Sequence, residues 1–251
     1  MDMTYEVSPE LKKLQDKLLV ALSAFDRICT DAGCQYSLMC GTLLGAIRHQ
    51  GFIPWDDDVD VVMFRDEYIK FRNYCMSRNL SDGVYLDEED TWVPRIRIDQ
   101  DKKVFVDIFI LDNVAPKPCA HRITLLKLKI LQGMMKKDIA YGRYTLVNKV
   151  RIFVTHVLGL PFSFNWKYQK YHKLSMKFND SASKRYYMAN GAFEVTSIIW
   201  EDYEFSNYIR VPFQNTDFMI TDRFKEVLIK LYGTTYMQLP PEKDRIPKHN
   251  I

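Results

Sequence analysis

Four aspartates, Asp56, Asp57, Asp58 and Asp60, fall within five positions, directly after Pro54 and Trp55 and against the apolar run Val59, Val61, Val62 and Met63. Carboxylates this close repel one another and resist ionising together, so the segment calls for positive charge. Asp58 and Asp60 are two apart, and on a strand both side chains leave the same face. Oxygen donors at that spacing suit a hard divalent cation, Mg²⁺ or Mn²⁺, which can bridge phosphate oxygens as well. The plainer reading is an acidic turn in solvent, and the apolar strand that follows argues against it. Asp107 is a lone carboxylate inside the run Val104 to Ile110 and needs a partner there. It is either a third metal ligand or one half of an ion pair with an arginine such as Arg95 or Arg97. Upstream, Gly41-Thr42 forms a small-residue turn into a helix, which can offer backbone N–H groups and a hydroxyl to a phosphate.

Several elements must position these groups. Ser8-Pro9-Glu10 opens a helix, with Ser8 as N-cap and Pro9 in the first turn. Leu11, Leu14, Leu18, Leu22, Phe25 and Ile28 recur at helical spacing, and Gly33 closes the segment. QYSLMC reads as a short strand, LLGAIRH as a short helix, VDVVMF as a strand and RDEYIKFRNYCMSRN as a helix. GVYLD and VPRIRI are strands. KVFVDIFIL is apolar on both faces, as the middle of a sheet requires. Beyond Pro116 and Pro118 the character changes. CAHRITLLKLKILQGMMKKDIAYGRY, VNKVRIFVTHVLGL and WKYQKYHKLSMKFN read as helices, basic and apolar together. YYMAN, SIIW and NYIRVPF read as short strands, DRFKEVLIKLYG as a last helix, and the proline-rich tail as irregular. This organisation gives a core over 1–115, with 116–251 supplying a helical basic region and the strands and helix that complete the same domain.

The net charge of +3 hides an asymmetry. Residues 1–112 hold 13 basic against 21 acidic side chains, net −8, whereas residues 113–251 hold 22 against 11, net +11. Within 113–185 the only acids are Asp138 and Asp180. Such a segment is either a solvated face or a surface for anionic partners: phosphorylated glycans, a membrane or nucleic acid. The five cysteines form no CxxC pair, which fits reduced thiols in a cytoplasmic protein. The N-terminal 25 residues read as an amphipathic helix rather than a signal peptide, and no run is apolar enough to span a bilayer.

The block GTLLGAIRHQGFIPWDDDVDVVMFRDEYIKF resembles the hallmark of the LicD family, which includes choline-phosphate transferases and fukutin-like enzymes within the nucleotidyltransferase superfamily. FDRIC, VDIFILD at 106–112 and the terminal LYGTTYMQLPPEKDR extend the resemblance to both ends of the chain. The stretch 113–195 matches only in general character. The resemblance implies an α+β fold: a nucleotidyltransferase-like mixed β-sheet flanked by helices, with a mostly helical basic insertion. It also implies Mg²⁺-dependent transfer of phosphocholine, or a related phospho-alcohol, from a CDP-activated donor to a sugar hydroxyl, with release of CMP. The acceptor would belong to a cell-surface glycan such as lipopolysaccharide, teichoic acid or capsule.

On that resemblance Asp58, Asp60 and Asp107 hold the metal, Gly41 and Thr42 hold donor phosphate, and Arg48 pairs with the diphosphate through its planar fork. Asp57 is the candidate general base, with His49 as its rival. Choline would be recognised by an aromatic face, with Trp55 foremost and Tyr36, Tyr85, Trp92 and Trp200 behind it; core packing is the plainer role for the latter four. Acceptors of this class are often lipid-linked at the cytosolic leaflet, so the basic helices are expected to give a peripheral contact with the inner face of the membrane. Nucleic acid is not expected as a partner. The competing reading is a nucleotidyltransferase that moves NMP from NTP to a small molecule or RNA and releases pyrophosphate.

Overall fold

The computed structural model describes residues 7–80, 83–98, 101, 103–136, 145–191 and 195–247. The fold is α+β, with helices around a curled mixed sheet. By internal contacts the chain divides into two compact units. Met1–Asp87, Arg95–Ile110 and Glu201–Ile251 form the first, and Glu88–Pro94 with Leu111–Trp200 form the second.

In the first unit, helix α1 (Pro9–Ala32) starts where Ser8 Oγ accepts a hydrogen bond from Leu11 N at 3.2 Å, and ends at Gly33 in the left-handed region. Its Leu11, Leu18, Leu22 and Phe25 are essentially inaccessible. Full burial of each such side chain is worth roughly 1.5–3 kcal/mol, so packing rather than propensity holds this helix. Strand β1 (Ser37–Leu38), helix α2 (Cys40–His49), strand β2 (Asp60–Phe64) and helix α3 (Arg65–Ser77) follow. Next come β3 (Val84–Asp87), β4 (Arg95–Ile98) and β5 (Phe105–Asn113). The sheet runs β1-β2-β5-β4-β3. β4 and β5 are antiparallel, with Arg95 opposite Asp107. Val106, Ile108 and Ile110 of β5 share one face and are fully buried, whereas Asp107 and Phe109 on the other face are half-buried.

Residues 201–251 return to this first unit. Strands β8 (Tyr208–Phe213) and β9 (Thr216–Thr221) form an antiparallel hairpin, and helix α7 (Phe224–Tyr232) ends at Gly233. Reading the sequence yielded no strand over 216–221, because Gln214, not a glycine or asparagine, takes the positive-φ place in the turn. That turn docks beside α2: Gln214 N donates to Gln50 O at 2.6 Å, and Phe213 meets Phe52 edge-on at 5.0 Å. Tyr36 links the hairpin to α1, accepting from Met219 N at 3.2 Å and donating to Asp26 at 2.6 Å.

The second unit holds helices α4 (Pro118–Met135), α5 (Leu146–Gly159) and α6 (Phe164–Ser175), with β6 (Arg185–Met188) and Trp200 of β7 (Trp200–Glu201). β6 pairs antiparallel with Leu111–Asn113, the end of β5 that belongs to this second unit. Leu128, Met135, Tyr168, Tyr171 and Tyr187 form its core, with Trp92 packed alongside. Gln132 is buried and satisfied, donating to Tyr171 OH at 2.9 Å and Gly191 O at 3.1 Å. Helix α4 stops at Met135, and the helical reading of 137–144 lies outside the described residues.

Candidate active site

The acidic cluster belongs to the first unit and is assembled by the turn from β1 into α2, the lead-in to β2, and β5. Cys40 enters α2 with φ of 50°, in the left-handed region. Gly41 comes next, and a Cβ on it would stand 2.6 Å from Asp56 Oδ2, so a larger residue there would push that carboxylate aside. Thr42 is buried and its Oγ1 accepts from Asp60 N at 2.9 Å, which ties this turn to the first residue of β2. The first N–H groups of α2 have no partner inside the helix, so its positive end belongs to this same corner.

Ligand oxygens of Asp56, Asp57 and Asp58 lie within 4.8 Å of one another. Asp57 is 1% exposed and Asp60 8%. β2 begins at Asp60, so Asp58 sits in the lead-in rather than on the strand. Val59 O nonetheless accepts from Asp107 N at 2.9 Å, which brings this lead-in beside β5. Burial, then the charges of Asp58, Asp107 and Asp56, push the Asp60 carboxyl well above its ordinary value, and a hydrogen bond with Cys40 partly offsets this. The Cys40 thiol is itself pushed up by burial and by Asp60 and Asp58. Asp107 forms the ion pair with Arg95, whose Nε stands 2.6 Å from it, and its charge also raises Asp60. Arg95 in turn lies 4.0 Å over the Phe105 ring.

A second layer comes from residues distant in sequence. Tyr232, at the end of α7, keeps 43% of its surface open, yet its hydroxyl end is deep enough that burial is the largest cause of its raised pKa. Cys40, Asp60, Asp56 and Asp58 add to that rise, so the phenol stays protonated and can donate toward the cluster. Arg48 Nη1 donates to Tyr236 O and Gln238 O, both at 3.0 Å, and its Nε donates to His49 Nε2 at 2.9 Å. Burial lowers Arg48 while the charges of Tyr232 and Asp56 raise it. Burial, then Arg48, lowers His49 from its ordinary value, which keeps it neutral and accepting. Trp55 is 8% exposed, with His49 edge-on at 6.4 Å and the Arg245 guanidinium 5.7 Å over its ring. The ring face expected to meet a cation therefore already carries one.

Of the other aromatic candidates, Tyr36 and Trp200 are fully buried and Tyr85 is 40% exposed. Trp92 Nε1 donates to Asn190 O at 3.2 Å in the second unit. In sequence Tyr232 and Arg245 stand out only as members of the terminal block, and Cys40 only as a reduced thiol. The signal that finds them is spatial: helix α7 packs against α2, and the tail is fastened to Arg48.

The donor set fits a hard divalent cation. It is all oxygen, and the three atoms that converge within 4.8 Å belong to Asp56, Asp57 and Asp58; of the expected ligands Asp58, Asp60 and Asp107 only Asp58 is in that group, while the repulsion that lifts Asp60 is what a dication relieves.

Two comparisons with known proteins bear on this arrangement. The LicD/FKTN/FKRP nucleotidyltransferase domain matches residues 33–126. Along 266 aligned residues, 94% of this chain and 96% of the relative, the sequence is 30% identical to the lipopolysaccharide cholinephosphotransferase LicD of Haemophilus influenzae. The chain belongs to the LicD family. Shorter matches reach 44% identity over 45 residues to an uncharacterized protein of Rickettsia typhi and 51% over 41 residues to one of Rickettsia prowazekii. Each covers 15% of that relative. The LicD domain match takes in Gly41, Thr42, Asp58, Asp60 and Asp107, whereas Tyr232 and Arg245 lie beyond it.

Proposed function

We propose that this LicD-family enzyme transfers phosphocholine, or a related phospho-alcohol, from a CDP-activated donor to a sugar hydroxyl of a cell-surface glycan. The observation that carries this reading is the near full-length similarity to a lipopolysaccharide cholinephosphotransferase. The clustered carboxylates support it, because phosphoryl transfer depends on positioning and charge neutralisation more than on covalent catalysis.

In this reading Asp58, Asp60 and Asp107 hold Mg²⁺ or Mn²⁺. A cation held there would supply positive charge against the donor diphosphate. The acceptor oxygen forms a bond to the alcohol-bearing phosphorus, and the phosphorus–oxygen bond to CMP breaks. Asp57, buried beside the ligands, takes the acceptor proton. The first turn of α2, with Gly41 and Thr42, borders the donor phosphates. Arg95 holds Asp107 in place and balances its charge. Tyr232 donates a hydrogen bond to a donor phosphate oxygen. The choline group meets Trp55, where a quaternary ammonium competes with Arg245 for the ring, and the displaced guanidinium is then available to the diphosphate beside Arg48. The acceptor is lipid-linked at the cytosolic leaflet, and the basic helices bring the protein to that surface. Among the described residues no helix is long and apolar enough to cross a membrane.

The test is to incubate the protein with Mg²⁺, a crude glycan extract and, separately, CDP-choline, CDP-ribitol, CDP-glycerol, CTP and ATP, and to follow nucleotide products by mass spectrometry. CMP from one CDP-alcohol, lost on chelation and in Asp60→Ala, is expected. Pyrophosphate from CTP or ATP would mean nucleotidyl transfer instead.

A further inference from the structure

Helix α5 is built the wrong way round for a helix in water. Its side toward α4 is small and polar. A Cβ on Gly133 would stand 2.1 Å from Thr155 Oγ1, and one on Gly159 would stand 2.7 Å from Met134 O, so the two helices meet with little between them. Gly159 is the one residue of α5 that is fully buried. The opposite side carries Val150 (55% exposed), Phe153 (57%), Val154 (47%), Val157 (44%) and Leu158 (58%). Their i, i+3, i+4, i+7, i+8 spacing is that of a single helix face. Scattered exposed apolar side chains are ordinary, but a contiguous stripe marks a surface that something covers.

The charge around that stripe identifies the occupant. Helices α4, α5 and α6 together carry eight lysines and arginines and not one aspartate or glutamate. Phe162, just past α5, stacks on Trp166 at 4.4 Å and continues the apolar surface into a groove of about 510 Å³. Ile130, Leu131 and Leu174 line the groove with Trp166, and Lys127, Lys170, Lys173 and Lys177 ring it. A second copy meeting this face with the same face would set cations against cations. An anionic lipid surface offers acyl chains to the stripe and phosphates to the lysines.

We infer that α5 lies in the interfacial plane of an anionic bilayer, with its Val150–Leu158 stripe among the acyl chains, and that the lysine-ringed groove takes an anionic lipid headgroup. The inference gives a surface to the lipid-linked acceptor reading above and rests on that reading for its purpose. Binding itself is measured without the transfer reaction.

The experiment is flotation of the full chain with phosphatidylcholine vesicles, with and without phosphatidylglycerol, at low and high salt. The protein is expected to float with anionic vesicles, at least about tenfold more weakly without phosphatidylglycerol or at high salt. Phe153→Ser with Val157→Ser should lower the affinity at least about tenfold even at low salt, since both side chains leave the acyl region. Lys170→Gln with Lys173→Gln should reduce affinity less and flatten the salt dependence. All four residues are exposed, so circular dichroism should be unchanged. CMP release with a lipid-free acceptor reads the transfer reaction separately, and either result can fail alone. Wild-type protein remaining soluble at low salt, or the α5 pair floating like wild type, would overturn the inference. So would a dimer in analytical ultracentrifugation that is lost in the α5 pair without any vesicle binding.

Discussion

In the first unit five carboxylates, Asp56, Asp57, Asp58, Asp60 and Asp107, crowd together, Asp57 and Asp60 of them buried, with Arg95 paired to Asp107 and Arg48 in electrostatic reach of Asp56. In the second unit three helices carry cations with no acid among them, and α5 turns valine, leucine and phenylalanine outward. Each region departs from what an isolated folded chain would choose, and the departures are of opposite kinds. Crowded carboxylates repel one another, as the raised Asp60 carboxyl shows, and exposed apolar side chains line one face of a helix. The first calls for a small, multivalent cation bound at fixed geometry. The second calls for an extended, anionic and greasy surface.

If the contrast holds, substitutions in the two units should separate cleanly. The largest effect belongs to Asp58→Ala. Loss of a metal ligand should reduce CMP release on the order of a thousandfold, since charge stabilisation by such an ion is worth several kcal/mol. Metal-free thermal stability should not fall, because a repelling carboxylate has been removed; calorimetry with and without Mg²⁺ checks this. A large loss of stability in the metal-free variant would mean that the cluster is structural.

Arg95→Ala comes next. It strips the partner from Asp107 in a pair whose side chains are only 19% and 16% exposed. A cost of about 2–4 kcal/mol in chemical denaturation is expected, somewhat below that of a fully buried pair. Unlike Asp58→Ala, it should weaken fold and turnover together.

Gly133→Ala probes the other unit. The added methyl collides with Thr155 and should cost roughly 1–3 kcal/mol by overpacking. The Mg²⁺-induced rise in melting temperature should remain. If that rise vanished, the metal site would depend on the helical unit and the contrast would dissolve.

The smallest effect expected is at Trp55. Trp55→Leu should raise KM for CDP-choline about tenfold and leave KM for CDP-glycerol nearly unchanged, because only the quaternary ammonium gains from the ring face. Equal changes for both donors would leave Trp55 as the seat of Arg245 and nothing more.

Much of the first unit was legible in sequence because its signals are local. Ser8 and Pro9 announced α1, the both-faces apolar run announced β5 as a central strand, and the crowded aspartates marked the candidate site. The two readings of Asp107 stayed open in sequence because an arginine opposite and a cluster alongside both depend on register. Tyr232 and Arg245 were not legible as site residues: they approach α2 only through the packing of α7 and the fastening of the tail to Arg48. The outward stripe of α5 was equally hidden. VNKVRIFVTHVLGL reads as basic and apolar, but which face turns outward is decided by the contact of Gly133 with Thr155.

The most direct test of the central claim is the mass of the glycan product. With CDP-choline and Mg²⁺, the acceptor should gain one phosphocholine, and Asp60→Asn or chelation of the metal should abolish the gain. A gain of a nucleoside monophosphate, or a phosphocholine gain that survives Asp60→Asn, would contradict the assignment of these carboxylates to phosphocholine transfer.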